Sequence, residues 1–161
     1  MESFDAIYEK YYKKLYSFLY RMSGSASMSE ELTQETLYKA FLHMDQYQGR
    51  NSLYTWLCGI AKNNWLAECN RQNRFCELDE SLEPVSRHDT EQEVIEKQMR
   101  FLLHREIGQL PEPYLIVCML RIYAELSFGE IAASYGKSES WARVTYFRGK
   151  AILVERMEKY Q

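Results

Sequence analysis

Residues 126–153 read LSFGEIAASYGKSESWARVTYFRGKAIL, and the spacing predicts two short helices around a tight turn. Ser127 and Glu130 stand at capping-box separation, where each side chain satisfies an orphan N–H at a helix start. Leu126 and Ile131 flank that cap as a hydrophobic staple would, and Gly136 supplies a left-handed residue to end the helix. Ser138 can cap a second helix, with Glu139 placing negative charge at its positive end. In that helix Ala142, Tyr146, Gly149 and Leu153 define a buried face. Ser140, Arg143, Val144, Phe147 and Arg148 form a second stripe, mixed polar, basic and aromatic. A helix with a packed back and such a front suits the major groove of duplex DNA. The plainer alternative is a helical hairpin whose arginines are merely solvated.

Upstream, Thr90 and Glu93 offer another capping box, followed by an apolar stripe of Ile95, Met99, Leu102, Leu103, Ile107 and Leu110. Pro111 stops that helix, and Pro113 can open the next as its first residue, running to about Ala124. The C-terminal part is thus four helices with the basic one last. Residues 77–93 have little helical periodicity, include Pro84 and read as an acidic linker.

The N-terminal part is also helical. Phe4, Ile7, Tyr8, Tyr11, Leu15, Phe18, Leu19 and Met22 keep helical spacing over residues 3–22, and SGSAS at 23–27 makes a turn. The next helix reaches about Met44, with Ser27 and Glu30 in capping-box register. Its inner face is Leu32, Thr36, Leu37, Ala40, Phe41 and Met44; Glu31, Gln34, Glu35 and Tyr38 fall outside it, as a solvated surface would. After the polar break DQYQGRNS (45–52), a third helix runs from Leu53 to about Arg71. Leu53, Leu57, Ile60 and Ala61 can face a core, while Trp56 and Asn63 share another face that Lys62, Asn64 and Trp65 extend. Aromatics mixed with amides and positive charge suit single-stranded nucleic acid, though tryptophans completing a small core fit equally well.

Whole-chain properties bound the answer. The 161 residues are 46% apolar and 14% aromatic with only 7 Gly and 3 Pro, which points to an all-α protein. The expected plan is two small helical domains, residues 1–76 and 94–161, joined by the acidic linker. The net charge of −3 hides segregation: residues 77–97 carry −6 and residues 137–161 carry +3. No apolar run could cross a bilayer, and MESFDAIYEK lacks the regions of a signal peptide, so a cytoplasmic protein is expected. Cys58, Cys69, Cys76 and Cys118 form no CxxC pair, and His43, His88 and His104 are scattered. Neither a metal site, a cofactor nor a catalytic constellation is expected.

Four segments together resemble the extracytoplasmic-function (ECF) group of the sigma-70 family of bacterial transcription initiation factors. They are MSEELTQETLYKAF (28–41), TWLCGIAKN (55–63), LPEPYLIVCMLR (110–121) and the 126–153 stretch. The resemblance implies that Glu31, Gln34 and Glu35 dock on a coiled coil of the largest subunit of core RNA polymerase. It implies that the loop Tyr47–Leu53 and the following helix capture and melt the −10 promoter element. There Gly49 would allow close approach, Asn51 and Ser52 would meet a base edge, Tyr47 and Trp56 would stack, and Arg50, Lys62 and Asn63 would line the strand. Ser140, Arg143, Val144, Phe147 and Arg148 would read the −35 duplex. The linker would thread toward the polymerase active-site cleft, and an anti-sigma factor would be a further partner. The chain departs from the family pattern at Trp56–Leu57, Leu115, Glu125, Trp141 and Thr145. The rival readings are a stand-alone helix-turn-helix regulator, which leaves LTQET unexplained, and a nucleic-acid enzyme, which lacks a catalytic set.

Overall fold

A computed structural model describes residues 3–49, 52–72 and 90–160 of the chain. Arg50, Asn51, Cys76, His88 and most of the expected linker lie outside these residues. Among the described residues there are seven α-helices and no strand, as an all-α chain requires. The N-terminal half holds α1 (Phe4–Ser23), α2 (Ala26–Leu42) and α3 (Leu53–Gln72); the C-terminal half holds α4 (Glu91–Gly108), α5 (Tyr114–Ile122), α6 (Phe128–Ser134) and α7 (Glu139–Glu158).

In the N-terminal half α2 packs against both α1 and α3. Ile7, Leu15, Phe18, Leu19 and Met22 bury the inner stripe of α1. Close packing on α2 comes from its small polar residues. Ser29, Thr33 and Thr36 are buried, and the hydroxyls of Thr33 and Thr36 donate to the carbonyls of Ser29 and Leu32 at 2.6 and 2.7 Å. Burial therefore leaves no orphan donor there. The helix starts earlier than the Ser27–Glu30 register predicts. Gly24, with φ 68°, ends α1, and Ser25 caps α2 by accepting from the Met28 N–H, so the turn closes at the first serine available. At the other end α2 stops at Leu42; Phe41 is exposed and tilts against Phe4 at 4.8 Å, and Met44 belongs to a short 3-10 turn.

The C-terminal half follows its sequence signals closely. Both capping boxes form, at Thr90–Glu93 and Ser127–Glu130. Gly136, with φ 62°, ends α6 as Lys137 N–H returns to the Ala132 carbonyl at 3.0 Å, and Ser138 caps α7. Pro113 precedes α5 as its cap rather than opening it. Ala142, Gly149 and Leu153 are buried on the back of α7, joined by Thr145, with Tyr146 half-buried. Of the α4 stripe only Ile107 and Leu110 are fully buried, because α5 and α7 cover the C-terminal part of α4 while Ile95 stays exposed. Buried Glu106 on α4 accepts from the Tyr160 hydroxyl at 2.7 Å and pairs with Lys159 at 3.1 Å.

The two halves touch. Leu57, Cys58 and Ala61 of α3 belong to one apolar cluster with Leu126, Ile131 and Ala132 of the C-terminal half.

Candidate nucleic-acid interface

α2 divides its side chains cleanly. Leu32, Thr33, Thr36, Leu37 and Ala40 point inward, and Glu31, Gln34, Glu35 and Tyr38 lie exposed on the opposite side. Lys39, which sequence reasoning passed over, organises this face. Its ammonium lies 3.2 Å from the Glu35 carboxylate and donates to the Asn64 side-chain oxygen at 2.7 Å. The Glu35–Lys39 pair has helical i,i+4 spacing and was legible in the chain; Asn64, on another helix, was not. Asn64 is buried and also donates to the Thr36 hydroxyl at 3.1 Å, so it ties α2 to α3 instead of extending the polar face with Lys62.

Tyr47 and Trp56 come together, with ring centroids 5.4 Å apart, and both are half-buried. Gly49 has φ 72°, and a Cβ there would meet open space, so its left-handed backbone rather than crowding calls for glycine. Ser52 has a structural duty: its hydroxyl accepts from the Thr55 N–H at 3.1 Å and bonds the Thr55 hydroxyl, capping the start of α3. Lys62 is half-buried, and burial lowers its ammonium below the ordinary lysine range, with nearby Glu112 opposing that shift. Asn63 is exposed. A groove of ≈ 340 Å³ opens beside Tyr47, Gln48 and Trp56, and its far wall is Ala133, Tyr135 and Gly136 of the C-terminal half.

On α7, Ser140, Arg143, Val144, Phe147 and Arg148 are all exposed, opposite the buried back. Arg143 is partly committed: it pairs with Glu139 at 2.9 Å and lies over the Phe128 ring at 5.4 Å from the centroid. Ser140, Val144 and Arg148 border a second groove of ≈ 340 Å³ whose wall includes Trp141 and Tyr114. Thr145 is buried between them, so it serves packing. The arrangement offers hydrogen-bond donors, flat apolar surface and cationic groups. Among the described residues no group of three or more His, Cys, Asp or Glu could hold a metal ion, and no helix is long and apolar enough to cross a membrane.

Comparison with known proteins decides what kind of protein presents these faces. The family model described as Sigma-70 region 2 matches residues 7–75, which span α1 to α3. RNA polymerase sigma factor YlaC of Bacillus subtilis is 28% identical over 98% of this chain and 94% of its own length. The ECF RNA polymerase sigma-E factor of Escherichia coli K12 is 26% identical over 80% of this chain and 73% of its own. The chain carries a Sigma-70 region 2 and is similar over nearly its whole length to RNA polymerase sigma factors. The sigma factor RpoE of Bartonella quintana, solved with the anti-sigma factor NepR, shares the fold at TM-score 0.56 and 17% identity, covering 97% of this chain and 96% of that one.

This similarity supports a sigma factor that directs transcription initiation and favours that reading over the stand-alone regulator. Sigma factors are not enzymes in general. The described members of the three residue sets lie on different elements: the outer side of α2, the turn before α3 together with α3 itself, and the front of α7.

Proposed function

We propose that this sigma factor divides promoter recognition between its halves, residues 1–76 serving core binding and the −10 element and residues 94–161 the −35 element. The linker at 77–93 connects the two. Glu31, Gln34 and Glu35 dock on core polymerase. Tyr47 and Trp56, with Gly49, Arg50, Asn51, Lys62 and Asn63, take the displaced −10 strand by stacking and charge neutralisation. Ser52 contributes by holding the loop to α3 rather than by reading a base. Ser140, Val144, Phe147 and Arg148 enter the −35 major groove, and Arg143 joins them when it leaves Glu139 for phosphate. An anti-sigma factor is a partner in keeping with the RpoE complex, and the work on DNA puts the protein in the cytoplasm.

The observation that carries this reading is the exposed stripe of α7 opposite a back buried at Ala142, Thr145, Gly149 and Leu153, within a chain whose other half matches region 2. Replacing Glu35 tests the core-binding part. Glu35→Lys is expected to weaken binding to core polymerase about tenfold, or ~1.4 kcal/mol, with an unchanged helical circular-dichroism spectrum. Wild-type affinity in a fluorescence titration would remove this face from the interface.

A further inference from the structure

The groove beside Tyr47 and Trp56 is not open on both sides, and the residues that close it suggest a device within the chain. Its far wall is the end of α6. At the edge of this junction Arg21, near the end of α1, reaches across the halves. One of its guanidinium nitrogens donates to the Tyr123 carbonyl at 3.0 Å and lies 3.2 Å from the Glu125 carboxylate. Glu125 has φ 58° and is, among the described residues, the one non-glycine residue with positive φ. That conformation is open to glycine and disfavoured for residues with a Cβ. The carboxylate that glycine would lack is the group that meets Arg21. Beneath the pair, Tyr54 stacks on Tyr11 at 6.2 Å, close enough for the charges of Arg21 and Glu125 to bear on its hydroxyl. Glu112 of the C-terminal half also lies near enough for its charge to bear on Lys62 of α3.

We propose that the Arg21–Glu125 pair and the Tyr123 carbonyl form a latch that holds the C-terminal half over the −10 strand groove, so that the sigma factor closes its own single-strand site. The statement that the groove takes single-stranded DNA rests on the function proposed above; the latch itself does not. The pair is exposed, at 46% and 70% of its side-chain surfaces, so it biases the closed form without locking it. Opening is then within reach of a competing partner that binds the two halves apart. The turn carrying Glu125 is closed inside the C-terminal half, where the Leu126 N–H returns to the Leu120 carbonyl at 3.2 Å. Its backbone conformation is therefore shared by the open and closed forms, and only the side chain distinguishes them.

Native thiols report the opening. Cys58 is fully buried on α3, where the Glu130 charge of α6 reaches it, whereas Cys118 is buried against α7 inside the C-terminal half. Opening between the halves uncovers Cys58 and leaves Cys118 covered; general loosening uncovers both. In the full chain, Glu125→Gln and Arg21→Glu should raise maleimide labelling of Cys58, followed by peptide mass spectrometry, about two- to fivefold, the range of an exposed ion pair. The Cys118 rate should hold. The charge-swapped double variant R21E/E125R should return Cys58 toward the wild-type rate. Wild-type labelling in both single variants, or a parallel rise at Cys118, would overturn the latch. Affinity for a fluorescent random-sequence single-stranded DNA should rise by the same factor as Cys58 labelling, because binding scales with the open fraction. Faster labelling without tighter DNA binding would leave the latch standing and overturn both its covering of a DNA site and the −10 assignment.

Discussion

Gly149 sets how closely α7 can lie on α5. A Cβ at this position would stand 2.7 Å from the Cys118 sulfur and 3.2 Å from the Tyr114 Cβ, so one added methyl must push the two helices apart. Gly149→Ala gains helix propensity yet overpacks the core, and the net expected loss is about 1–3 kcal/mol. Urea denaturation measures it, and a variant as stable as wild type would contradict the packing. The intervals between Ala142, Tyr146, Gly149 and Leu153 made this face legible; the nearness of Cys118 was not, because it depends on how α5 crosses. A second residue gives a pH prediction. His104 is hydrogen-bonded to the Tyr123 hydroxyl, and burial, helped by the charge of Arg100, holds its imidazole below the ordinary value of 6.5. Folded protein therefore binds the proton less readily than unfolded protein, and the stabilisation is present above about pH 6.5 and lost as pH falls below it. The wild type should lose thermal stability between pH 7.5 and 5.5 more steeply than His104→Gln. Parallel curves would show that His104 does not titrate in this range.

At the scale of elements, the turn before α3 separates two roles that its sequence runs together. Ser52 caps the helix, while Tyr47 and Trp56 face each other across the turn. Ser52→Ala should cost about 1 kcal/mol of stability and leave −10 selectivity intact. Trp56→Ala should instead reduce promoter opening about ten- to a hundredfold, from the ~1–3 kcal/mol that stacking on an aromatic ring contributes per base. Permanganate reactivity of −10 thymines in complexes with core polymerase distinguishes them; normal opening in Trp56→Ala would move strand capture elsewhere. The alternation along α2 was readable because one helix face decides it, residue by residue. The place of Asn64 was not readable, since its partners Lys39 and Thr36 lie 25 and 28 positions earlier. The capping-box register pointed to Ser27, and the cap falls instead on Ser25, directly after the left-handed Gly24.

For the whole molecule, the sequence announces seven helices in two groups but hides how the groups meet. Each half has an apolar stripe that looks self-sufficient, so nothing in the periodicity reveals that Cys58 and Ala61 share a cluster with Leu126 and Ile131. Charge was more informative than net charge: the +3 of residues 137–161 sits at the end that carries α7, although the chain as a whole is −3. With strand capture at the turn and duplex reading on α7, as proposed, the protein would need polymerase to act, because the two serve different stages of one event. The direct measurement is run-off transcription with core polymerase on a promoter library, with and without this chain. Transcripts should appear only in its presence, start at fixed positions, and fall about tenfold or more when either the −10 or the −35 segment of a selected promoter is scrambled, from the ~1–3 kcal/mol at each base position read. Equal transcription with and without the chain, or output indifferent to both segments, would contradict the account.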